Sequence, residues 1–222
     1  MTNYYKGFKL KDITSEKYRH LFFVLFWPAY FLAYSLVEKF VVPKYAIYTP
    51  LDDLIPFCEF FIVPYALWYF LLALVGFYTL FFDVPAFKRF HKFLIVTCII
   101  TFAVYVIFPN EQNLRPSEFA HDNVFTDIVK RLHGFDTNTN VFPSMHVIFT
   151  LGMLFSVWNT KPFSTIIGRA LSILITISIC LATVCLKQHS ILDVYSGVAL
   201  SAIVFPFIYL DLKGKFKKNK KE

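Results

Sequence analysis

Six apolar runs constrain this chain more than any other feature, because each approaches the roughly 20 residues that a helix needs to cross a bilayer. They run from about Leu21 to Val42, Ile55 to Phe82, Phe93 to Phe108, Pro143 to Trp158, Ile166 to Leu186 and Ile191 to Leu210. Of the 222 residues, 57% are apolar and only 17% are charged. That much apolar surface exceeds what a core of this size can hide, and a bilayer solvates it instead. The expected fold is all-α: a polytopic membrane protein of six transmembrane helices in a bundle, forming a single domain over residues 1–222. Pro28 is expected to kink the first span and Pro64 to interrupt the second.

Basic residues set the orientation. The segment from Lys6 to Arg19, the turn with Lys88, Arg89 and Lys92, the pair Lys161 and Arg169, and the lysines of the tail 211–222 all fall on one side. The other side holds only Lys39, Lys44, Arg115, Lys130, Arg131 and Lys187. The positive-inside rule then places both termini in the cytoplasm, in agreement with an even number of spans. The tail could suggest nucleic acid, but it follows an apolar run directly. A cytoplasmic flank on anionic lipid explains it more simply, so the bilayer is the expected partner and nucleic acid is not. No cleavable signal peptide is expected in residues 1–20, and a bacterial cytoplasmic membrane is the expected location.

In this topology the loop 109–142, the start of the fourth run and the turn before the sixth share the outer face. They hold nearly all the chemically informative polar residues. His189 and Asp193 are four apart at a helix start and share a face. A carboxylate there can keep one imidazole nitrogen protonated and leave the other as a nucleophile. Lys187 adds a cation, and a helix N-terminus favours an oxyanion. Ser190-x-x-Asp193 also reads as an ordinary capping box, and Lys187 as an ordinary interfacial lysine. In the fourth run, Ser144 could give a hydroxyl and a backbone N–H to a phosphate oxygen, and His146 could protonate a leaving alkoxide. The alternative is that Pro143-Ser144 only starts the helix. Ionisable groups gathered at one membrane face favour function over packing.

Three ordered segments carry a resemblance: Arg115-Pro116, Pro143-Ser144-Met145-His146 and His189-x3-Asp193. Together they resemble the type 2 phosphatidic acid phosphatase superfamily, over about the last 120 residues. The resemblance implies that His189 attacks phosphorus, Asp193 orients it, and His146 protonates the leaving group. It also implies that Arg115 and Ser144 hold phosphate oxygens, without any metal or other cofactor. Phe108 stands where the family has a lysine, Met145 where it has glycine, and Thr183 where it has arginine, with Lys187 as the candidate substitute cation. Asp136, Asn140 and the Lys-Gln-His run resemble a branch of inositol-phosphorylceramide-synthase-like proteins, and these two residues are candidates for specificity.

Other residues read more plainly. Asp52, Asp53 and Glu59 are expected to be solvated acids. His20 and His91 are expected at the cytoplasmic interface. Tyr65, Trp68, Tyr69 and Phe70 are expected to pack against lipid or helices. His121, Asp122, Asp127, Lys130, Arg131 and His133 lie in a loop of the kind that forms lids. Cys58, Cys98, Cys180 and Cys185 are small packing residues. Three functions fit this pattern: a phosphatase acting on phospholipid or isoprenoid phosphates, a phosphotransferase passing the group to an alcohol, and a non-catalytic lipid-binding or transport protein.

Overall fold

The structure, a computed structural model, describes residues 4–210, so the basic tail lies outside the described residues. The chain is an all-α polytopic membrane protein. Its helices are α1 (Phe26–Phe40), α2 (Leu51–Leu54), α3 (Ile62–Phe82), α4 (Val84–Ile107), α5 (Val124–Phe135), α6 (Met145–Val157), α7 (Ile166–Cys185) and α8 (Ile191–Tyr209). Two residue pairs, β1 (Tyr45–Ala46) and β2 (Asn110–Glu111), form a short parallel ladder. Five helical segments are long and apolar enough to cross a membrane: those containing α1, α3, α4, α7 and α8.

The fourth expected span, α6, has 13 residues. It is the central helix, packed against α3, α4, α7 and α8. Two glycines allow that packing. A Cβ on Gly152 would sit 3.0 Å from the Phe93 ring, and one on Gly197 would sit 3.0 Å from the Ser144 carbonyl oxygen. The outer faces stay apolar, with Phe31, Phe77, Ile99, Ile166 and Phe207 exposed.

Pro28 and Pro64 fall in the first turns of α1 and α3, a position that tolerates proline. The residues just before them form 3-10 turns, Arg19–Leu25 and Glu59–Phe61. α4 begins well before the expected Phe93, at Val84. Lys88, Arg89 and Lys92 look like a loop in the sequence, yet all three are good helix formers. Asp83 starts the helix by accepting from the Ala86 N–H at 3.0 Å, with Pro85 in the first turn.

The loop 109–142 is structured. α5 is amphipathic and is capped by Asn123, whose Oδ1 accepts from the Thr126 N–H at 3.0 Å. Glu59 is buried, accepting from Asn123 Nδ2 at 2.9 Å and contacting His121 Nδ1 at 3.0 Å. It ties α5 to the start of α3 and is not a solvated acid. At the opposite end of the bundle, His20 and His91 are fully buried among aromatic rings.

Candidate active site

Two helix starts bring the histidines together. Ser144 caps α6 through its Oγ, and its backbone N–H donates to the Asp193 carbonyl at 3.1 Å. The first turn of α6 is thereby joined to the first turn of α8. Asn110 holds the chain entering α6: its Oδ1 accepts from Val141 N and Phe142 N, both at 2.9 Å, and its Nδ2 donates to the Phe108 and Phe142 carbonyls. The Tyr105 hydroxyl donates to the Pro143 carbonyl at 2.9 Å.

The start of α8 is clamped twice. Asp52 is 2% exposed, and its carboxylate accepts from Ser190 Oγ at 2.7 Å and from Ile191 N at 2.8 Å. In return Lys187 Nζ donates to the carbonyls of Asp52 at 2.7 Å and Ile55 at 2.5 Å. Asp52 is thus a buried structural acid, whereas Asp53 is exposed as expected. The turn ahead of His189 is closed by the Thr183 carbonyl, which accepts from both Gln188 N and His189 N at 3.0 Å.

The result is a continuous chain of polar contacts. His189 Nδ1 lies 3.1 Å from Asp193 Oδ2, and His189 Nε2 lies 3.3 Å from His146 Nδ1. His146 Nε2 lies 3.0 Å from the Tyr65 hydroxyl, which donates to Asp136 Oδ2 at 2.8 Å. Gln188 Nε2 donates to the same Asp136 oxygen at 3.3 Å, and Gln188 Oε1 accepts from Arg115 at 2.6 Å. Asp193 is fully buried and also accepts from the Ser190 N–H at 2.9 Å. The capping box and the histidine partner are therefore the same carboxylate oxygen.

The sequence-derived cations stand elsewhere. Arg115 donates to the carbonyls of His133 at 2.7 Å and Asp136 at 2.6 Å, and Lys187 is spent on α2. Burial pulls the Arg115 pKa down from its usual value, and the nearby Asp136 carboxylate opposes that shift. Phe108, in the position of the family's lysine, stacks on Tyr45 with ring centroids 4.5 Å apart. Among the described residues, no group of three or more His, Cys, Asp or Glu side chains is arranged to hold a metal ion.

A cavity of about 630 Å³ opens beside the two histidines. One wall is a stripe of α1 running from Trp27 through Tyr30 and Tyr34 to Glu38, and another carries Trp68 and Tyr69 of α3. The Trp68 ring centroid is 4.5 Å from that of His146, and its buried indole N–H has no partner among the described residues. Near Asp136 the lining turns polar. Glu38 accepts from Asn140 Nδ2 at 2.6 Å and from the hydroxyls of Thr137 and Thr139. A family model described as PAP2 superfamily matches residues 51–207.

The chain belongs to the PAP2 superfamily. The matched span holds Arg115, Ser144, His146, Lys187, His189 and Asp193, and membership carries phosphatase or phosphotransferase chemistry in general. No curated protein and no solved structure matches the chain. The wall contributed by α1 lies outside the matched residues. Sequence reasoning placed the histidines and aspartate in a site but assigned Tyr65 and Trp68 to packing, and it gave Gln188 no role. An aromatic in an apolar helix carries no local signal of the histidine it will meet.

Proposed function

We propose that this PAP2-superfamily chain is a membrane lipid phosphate or diphosphate phosphatase working through a phosphohistidine. The observation that carries the reading is the 3.3 Å approach of His189 Nε2 to His146 Nδ1, backed by Asp193 and opening on an aromatic cavity. Asp193 holds the proton on His189 Nδ1, so Nε2 offers its lone pair to phosphorus. As that bond forms, the bond to the leaving oxygen breaks, and the imidazolium of His146 supplies its proton. Water then attacks the phosphohistidine, gives a proton to His146, and returns the electron pair to His189.

The lipid body fits the apolar stripe of α1, with its phosphate at the polar end of the cavity. Phospholipid and isoprenoid phosphates both meet this description. The N-termini of α6 and α8 lie beside the phosphate position and favour its charge. Arg115 and Ser144 support the phosphate by fixing Gln188, Asp136 and the α6 start. The distribution of basic residues supports an outward-facing site in a cytoplasmic membrane. Replacing His189 by alanine tests the reading through phosphate release from phosphatidic acid in detergent. Turnover at the wild-type rate in that variant would overturn it.

A second reading is transfer of the phospho-head group to an alcohol. The polar cluster of Glu38, Thr137, Thr139 and Asn140 favours it, because it places hydrogen-bonding groups in the same cavity as the histidines. The resemblance of the Asp136-x3-Asn140 run to inositol-phosphorylceramide-synthase-like proteins points the same way. Labelled phospholipid incubated with candidate alcohols separates the two: a new labelled lipid supports transfer, and free phosphate alone supports hydrolysis.

A further inference from the structure

Tyr65 is 1% exposed, and its hydroxyl touches both Asp136 Oδ2 at 2.8 Å and His146 Nε2 at 3.0 Å. A phenol has one proton, and a carboxylate has none to give. The Tyr65 proton therefore goes to Asp136, and the Tyr65 oxygen accepts from His146 Nε2–H. On the other side, Asp193 Oδ2 accepts from His189 Nδ1–H. The outer nitrogens of both rings are thereby fixed as N–H donors. Their inner nitrogens, His146 Nδ1 and His189 Nε2, face each other at 3.3 Å. Two bare nitrogens at that distance present lone pair to lone pair, whereas one proton between them makes a hydrogen bond. The arrangement thus favours a pair that holds one mobile proton on its inner side, flanked by Asp136 and Asp193.

We propose that Tyr65 and Asp136 are positioning residues for the acid step, doing for His146 what Asp193 does for His189. This rests on the phosphatase reading given above. Tyr65 and Asp136 keep the His146 proton on Nε2 and so aim Nδ1 at the site where the leaving oxygen stands. When His189 Nε2 bonds to phosphorus, the breaking P–O bond leaves its electron pair on oxygen. The mobile proton on His146 Nδ1 moves to that oxygen, and His146 is left neutral with Nε2–H still on Tyr65. Arg115 and Gln188 hold Asp136 in place, through its carbonyl at 2.6 Å and its Oδ2 at 3.3 Å. The Trp68 ring lies tilted at 50° to that of His146, with centroids 4.5 Å apart, and limits its rotation.

The test uses the purified full chain in detergent and two esters. Dioctanoyl phosphatidic acid has an alkoxide leaving group that needs a proton, whereas p-nitrophenyl phosphate releases a phenolate that does not. Tyr65→Phe and Asp136→Asn keep the shape of each side chain, and thermal melts identify the folded variants. Either variant should lower kcat on the phosphatidic acid by about 10²-fold, as loss of an oriented acid does, with KM little changed. The loss on the aryl ester should be at least tenfold smaller. Equal losses on both esters, or no loss on phosphatidic acid in a folded variant, would overturn the proposal. Substituting His189→Ala in parallel separates the two claims. Survival of its turnover would remove the phosphohistidine reading itself, whereas an inactive His189→Ala beside an unimpaired Tyr65→Phe would remove only the role of Tyr65.

Discussion

Asp193 Oδ2 accepts from both the Ser190 backbone N–H and His189 Nδ1, so one oxygen caps α8 and orients the proposed nucleophile. Asp193→Asn puts an amide in a pocket that offers two donors and removes the charge that steadies a protonated imidazole. Expected are a fall in kcat of about 10²-fold or more and a smaller change in KM. Steady-state kinetics on a soluble phosphatidic acid check this, and unchanged kcat would contradict it.

Gly197 sets the distance between the two histidine-bearing helix starts. Its missing side chain lets the Ser144 carbonyl and Val147 approach within about a van der Waals contact. Gly197→Ala forces backbone apart, since the carbonyl oxygen cannot rotate away as a side chain would. Stability should fall by about 1–3 kcal/mol, and activity should fall further than stability explains. Thermal melts and turnover measured on the same preparation decide this.

Lys187 distinguishes a phosphate ligand from a clamp. Its ammonium sits on the carbonyls of Asp52 and Ile55, while Asp52 holds Ser190 and Ile191. Lys187→Met leaves those carbonyls without their charged donor, which costs about 1–3 kcal/mol when such groups are buried. The expected result is a lower Tm with KM for the lipid phosphate nearly unchanged. A large rise in KM at wild-type Tm would return Lys187 to the phosphate.

Stability should also depend on pH through His133. Burial lowers its pKa, and Arg115 adds to that, while the Leu186 carbonyl and Asp136 oppose it. The folded state therefore binds this proton less readily than the unfolded chain. Its contribution is fully present above the ordinary histidine value of about 6.5 and is lost as pH falls through the lower folded value. The Tm should drop on acidification, and the drop should be shallower in His133→Asn. Identical slopes in both proteins would contradict this.

The sequence made the membrane class and the histidine–aspartate core legible, because hydropathy runs and fixed spacings are local signals. Five long apolar helices follow the runs, and His189 and Asp193 meet because residues four apart share a helix face. The cations were harder to place. Whether Arg115 and Lys187 face phosphate or backbone depends on where α2 and the loop 109–142 fold back, which no spacing records. Tyr65 was harder still, since its partner Asp136 is 71 residues away. Helix starts showed a similar limit: basic residues read as a turn continued α4 once Asp83 supplied a cap.

The most direct measurement is a rapid acid-free quench of the full chain with phosphatidic acid carrying labelled phosphate. The label should appear on the protein as an acid-labile, base-stable adduct at His189, and it should vanish in His189→Ala together with phosphate release. Steady phosphate release by His189→Ala, or an adduct formed at a residue other than His189, would contradict the phosphohistidine mechanism.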